Sequence, residues 1–250
     1  MHVSIEGDET SAQLFVRWMN TGNYRYQAGK HEEALFAYTQ AVKQNPRDDF
    51  AFCCLAEVLN SLGRFEEALK ASDFAMSLNS SSVSAYTRKV EALMNLHHYE
   101  QALQTCEQAM ALAPGGAALY AVKGDILTDL QRVQEALMAY TQALQLDPHC
   151  AGIYNNLGML LAQMQHHEEA IHSFERAIEL EPDNAMISDN LSLLLESLGR
   201  WREALSLQLR GEVHDTQSEG AVNPEMPNPE ADVMAGEDMP ALQYSALWLL

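Results

Sequence analysis

The sequence predicts an all-α solenoid of six stacked helical hairpins, on three observations. A pattern recurs every 34 residues without insertion, small residues hold fixed places within it, and the apolar residues between turns follow helical spacing. Alanine recurs at Ala34, Ala68, Ala102, Ala136, Ala170 and Ala204, each preceded by Glu33, Glu67, Gln101, Glu135, Glu169 or Glu203. A second alanine follows at Ala41, Ala75, Ala109, Ala143 and Ala177, with Gly211 in the last copy. The units are read as 15–48, 49–82, 83–116, 117–150, 151–184 and 185–211.

Within a unit, the first helix opens near an aromatic: Trp18, Phe52, Tyr86, Tyr120 and Tyr154, a series broken by Ser188. These rings supply large buried area at the helix seam. Leu157, Leu160, Leu161 and Met164 show the apolar stripe of that helix in the fifth unit. A turn follows, marked by Gly29, Gly63 and Gly199, and by His97, Gln131 and Gln165 in the middle units. The alanines belong to the second helix. A larger side chain there overpacks the contact by roughly 1–3 kcal/mol. Pro46, Pro114, Pro148 and Pro182 close four units, and Ser80 holds that place in the second. Proline cannot continue a helix, so it favours the turn to the next unit.

The ends differ. Residues 1–14 are a polar, acidic lead-in, partly helical near Ser11. Met1 to Thr10 shows no basic start followed by an apolar run, so no secretory signal is read there. Residues 212–240 carry eight acidic residues, no Lys or Arg, and four prolines. That composition predicts a disordered acidic tail acting as a linker. Residues 241–250 are apolar, and Leu242, Ala246 and Leu249 share one helical face. Three uses are open: a cap on the sixth unit, an occupant of the chain's own binding groove, or a motif for another protein.

The pattern Tyr154, Leu157, Gly158, Leu161, Ala170, Phe174, Ala177, Pro182 resembles the tetratricopeptide repeat family, and the resemblance runs over about residues 15–211. Departures are Lys89 and Lys123 at the Leu place, Arg25 at the large apolar place, and Ser72 and Cys106 at the second-helix aromatic. The resemblance implies a right-handed superhelix whose concave groove is lined by the first helix of each unit. It also implies a non-catalytic scaffold or adaptor binding a peptide of a partner protein.

The family's groove places map here onto residues rich in asparagine and acidic in charge, among them Glu57, Glu91, Asp125, Met159, Asp189, Leu193 and Glu196. The candidate contacts are Asn20, Asn23, Asn60, Asn155, Asn156 and Asn190, with Arg88 as the lone cation. An asparagine amide donates and accepts at once, which suits an extended peptide backbone. The acidic lining favours a neutral or basic peptide or helix. A co-chaperone adaptor holding an acidic chaperone tail is the alternative. Its clamp positions correspond to Met19, Asn23, Cys54, Ser84 and Arg88, and only one cation remains to offset a carboxylate's desolvation.

Charge and composition exclude further classes. A formal net charge of -20 repels phosphate backbones and anionic lipid, so neither nucleic acid nor membrane insertion is expected. Cys53, Cys54, Cys106 and Cys150 lack metal-ligand spacing, and a reducing cytoplasm is expected. The pairs His97–His98 and His166–His167 fall at turns and read as surface residues. No catalytic motif, metal site or cofactor is expected. Repeat arrays also pair through their ends, so a homodimer is an allowed state.

Overall fold

The computed structural model describes residues 10–207. The expectations for 212–240 and 241–250 lie outside the described residues. Within them the protein is all α-helical, in the order α1 (Ser11–Gln27), α2 (His31–Gln44), α3 (Asp49–Ser61), α4 (Phe65–Leu78), α5 (Val83–Asn95), α6 (Tyr99–Leu112), α7 (Ala117–Asp129), α8 (Val133–Leu146), α9 (Ala151–Gln163), α10 (His167–Leu180) and α11 (Ala185–Ser197). A further helix runs over 201–207. The described chain divides into two compact units at the Ala139–Tyr140 bond, inside α8. In the first unit, α1 pairs with α2, α3 with α4 and α5 with α6, and each hairpin packs on the next. In the second, α9 pairs with α10, and α11 packs on both.

Local chemistry explains each hairpin. Thr10 and Gln13 form a reciprocal capping box that starts α1 at Ser11. Every turn inside a hairpin uses one left-handed residue: Gly29, Gly63 and Gly199 with φ near +71 to +73, and His97, Gln131 and Gln165 with φ of 59 to 63. In the first hairpin the Gly29 N–H bonds the Tyr26 carbonyl at 3.0 Å and the Lys30 N–H bonds the Arg25 carbonyl at 2.9 Å. That pair of bonds closes the helix end. The acidic residue before each first alanine also has a structural reason. Arg64 clasps Glu67, Arg132 clasps Glu135 and Arg200 clasps Glu203, each across the first turn of the second helix.

The repeated alanines form the seam. Ala34, Ala41, Ala68, Ala75, Ala102, Ala109, Ala136, Ala143, Ala170 and Ala177 are all fully buried. A Cβ added to Gly22 would meet Tyr38 Cε1 at 2.5 Å, and one on Gly158 would meet the Phe174 ring at 2.9 Å. The departures at the second-helix aromatic come with a larger residue than glycine at the facing place of the first helix. Ala56 stands opposite Ser72 and Val90 opposite Cys106, all four buried. Val90 with Cys106 keeps about the volume of a glycine–tyrosine pair, whereas Ala56 with Ser72 is smaller, and the helices there close on two small side chains.

The charged departures are paired as well. Lys89 reaches Asp73 and Lys123 reaches Glu107, both at 2.7 Å, from a first helix to the second helix before it. Arg25 pairs with Glu33 at 3.0 Å. The basic side chains are half-buried and their carboxylate partners more exposed.

Candidate functional site

The first helices carry the candidate residues, four in the first unit and three in the second. In the first unit the Tyr38 hydroxyl donates to Asn23 Oδ1 at 2.8 Å, holding the asparagine against α2. Burial, then the neighbouring Cys54 and Glu57, push the Tyr38 hydroxyl well above its ordinary pKa, so it stays protonated as donor. Asn20 is exposed on the same helix. Tyr26 and Ser61 meet through their hydroxyls at 3.0 Å, joining α1 to α3.

Asn60 is buried and faces α5. Its Nδ2 donates to the Arg88 carbonyl at 3.0 Å and to Glu91 Oε2 at 3.2 Å. Its Oδ1 is buried without a partner. Arg88 is held between two carboxylates, Glu57 at 2.9 Å and Glu91 at 3.3 Å. So the one cation of the expected groove is neutralised by neighbours on α3 and α5. Met19 and Cys54, which the carboxylate-clamp alternative would need at the surface, are buried. Burial pushes the Cys54 thiol up to about 12 and the Cys106 thiol up to about 11; Cys53 also shifts upward for that reason. Thiols held protonated in this way are poor nucleophiles.

In the second unit three asparagines form a chain. Asn190 Nδ2 donates to Asn155 Oδ1 at 2.8 Å, and Asn155 Nδ2 donates to Asn156 Oδ1 at 3.2 Å. Asn155 is buried, whereas Asn156 and Asn190 are half-buried. Beside them stand two exposed apolar side chains, Met159 at 47% and Leu193 at 64%. They occupy the same place of successive units, 34 residues apart. Asn190 Nδ2 also lies 3.9 Å from Met159 Sδ. Asp189 and Glu196 flank Leu193 one turn before and one turn after it along α11.

Asn155, Asn156 and Asn190 are therefore brought together, and Asn60 and Arg88 are brought together. Asn60 and Asn155 spend their amides joining one first helix to the next, in the manner of Tyr26 and Ser61. Sequence reasoning missed Tyr38 and Ser61 as partners of this face. Gly22 was the available signal for Tyr38, since only glycine leaves room for that ring. His97 and His98 sit in a turn, and His166 and His167 stand at the start of α10: His97 Nδ1 is 2.6 Å from the Tyr99 hydroxyl and His166 Nδ1 is 3.4 Å from Glu169 Oε2. Among the described residues, no group of three or more His, Cys, Asp or Glu is placed to hold a metal ion, and no helix is long and apolar enough to cross a membrane.

Comparison with known proteins returns tetratricopeptide repeat models over residues 16–48, 37–70, 83–115 and 151–184, and a TPR repeat model over 124–165. Together they cover more than half of the chain. No curated protein matches. Among solved structures, the chain is similar to TTC0263, a thermophilic TPR protein of Thermus thermophilus, at 24% identity and a TM-score of 0.67, covering 72% of this chain and 98% of that one. It is similar to MamA of Desulfovibrio magneticus RS-1 at 23% identity and a TM-score of 0.58, covering 68% and 97%. It is also similar to YrrB, a TPR protein with an unusual peptide-binding site, at 24% identity and a TM-score of 0.50, covering 70% and 90%. At these identities the likeness carries the fold.

Proposed function

We propose that this chain, which belongs to the tetratricopeptide repeat family, is a non-catalytic scaffold holding a segment of a partner protein against its first-helix face. The observation that carries the reading is the pairing of Met159 and Leu193, both exposed, with the amide chain Asn190–Asn155–Asn156. Exposed apolar side chains give a partner something to bury, and amides beside them can satisfy its backbone. Asp189 and Glu196 on either side of Leu193 favour a neutral or basic segment. The peptide-binding site described for YrrB supports the same use of this fold.

The pairing of Arg88 with Glu57 and Glu91 weighs against an acidic chaperone tail as ligand, because a bound carboxylate needs an uncommitted cation. The free cysteines, three of them buried, are consistent with a reducing cytoplasm.

The test is selection of binders from a displayed library of extended peptides, followed by capture with the Met159→Asp, Leu193→Asp protein. Lost capture with an unchanged melting temperature supports the reading. Equal capture sinks it.

A further inference from the structure

The last described hairpin leaves uncovered a surface that earlier hairpins cover. Leu35, Leu103 and Ile171 hold the same place in their units and are 6–7% exposed, and Leu69 and Leu137 at that place are half-buried. Each of the first three lies on a second helix against which the next first helix packs: α2 under α3, α6 under α7, α10 under α11. Leu205 holds that place on helix 201–207 and is 55% exposed. Trp201, one turn earlier on the same side, is 63% exposed. Two large apolar side chains four residues apart make a stripe fit for one more apolar helix face.

We propose that residues 241–250 of the same chain dock on the Trp201–Leu205 stripe and take the place of a following first helix. The segment carries no charged side chain, and eight of its ten residues are Ala, Leu, Tyr or Trp. It therefore covers the stripe without desolvating a charged side chain. On a helix, Leu242, Ala246 and Leu249 present one face, and ten residues span about 15 Å, enough to cover one turn of the stripe with margin. A coil the length of 208–240 spans roughly 30 Å root-mean-square, which reaches the neighbouring helix. Tethering at that length sets a local concentration on the order of millimolar. The chain's own segment thus outcompetes a second copy at micromolar protein.

The test compares four full-chain proteins: wild type, deletion of 241–250, Leu205→Asp, and both changes together. Melting temperature and amide exchange over 185–207 are read at two protein concentrations. The docked segment predicts a fall of about 2–4 °C for each single change. It also predicts exchange at least tenfold faster over 201–207, with the double variant no worse than either single. A deletion without effect, or effects that simply add, overturns the proposal. A melting temperature that rises with protein concentration also overturns it, because a second copy would then be the occupant. Leu205 is already largely exposed, so its substitution leaves the fold intact, and the deletion alone still decides the outcome.

Discussion

Asn190 in α11 donates to the buried amide oxygen of Asn155 in α9 over 2.8 Å, and Asn155 passes its own N–H to Asn156. One side chain thus serves both the packing of two first helices and the display of polar groups beside Met159. Asn190→Ala strands a buried acceptor and should cost on the order of 1–3 kcal/mol. Asn155→Ala should cost about as much, and the double variant clearly less than the sum. Urea unfolding of the three proteins measures the coupling, and simple additivity would show the bond to be idle.

Gly22 and Tyr38 are in close contact, with room for no Cβ between them. Gly22→Ala should lose roughly 1–3 kcal/mol by overpacking. Adding Tyr38→Ser, the combination present at Ala56 and Ser72, should make the alanine much better tolerated than it is opposite tyrosine. Thermal melts of both variants check this.

The buried thiols set an alkaline limit. Cys54 and Cys106 titrate near 12 and 11 in the folded chain against an ordinary 9.0, because burial disfavours the thiolate. The unfolded chain releases these protons first. Their contribution is therefore complete below pH 9 and is lost as pH climbs toward 11 and 12. Melting temperature should fall over that window, and Cys54→Ala with Cys106→Ala should flatten the fall. Tyr38, shifted the same way, adds to the slope.

Arg88 should act as a brace between α3 and α5. Its side chain and its partners are partly exposed, so Arg88→Gln should cost on the order of 0.2–1 kcal/mol per lost pair. Peptides ending in acidic residues should bind wild type and Arg88→Gln equally poorly in a calorimetric titration. Tight binding lost in the variant would restore the carboxylate-clamp reading.

The helical repeat was legible because its signals are local. Alanine at 34-residue steps and a turn residue in each hairpin are visible in one dimension. The turn at His97, Gln131 and Gln165 was readable only by register, since none is glycine, yet each takes the same left-handed backbone as Gly29. Lys89 and Lys123 looked like defects because their partners, Asp73 and Glu107, lie 16 residues back on another helix. The candidate face was partly legible. Residue type and place on the helix gave the asparagines and Arg88. Which amides are spent inside the protein was hidden, because Asn60 and Asn155 bond across helices 28 to 35 residues apart in sequence. Arg88 read as a free cation for the same reason.

The most direct test of the first-helix face is the dissociation constant of a library-selected peptide, measured by calorimetry on wild type and on Met159→Ala, Leu193→Ala. The face should weaken at least tenfold while the melting temperature moves by no more than about 2–4 °C, the shift expected for roughly 1 kcal/mol. An unchanged dissociation constant in a folded variant would place the peptide elsewhere on the molecule and contradict the account.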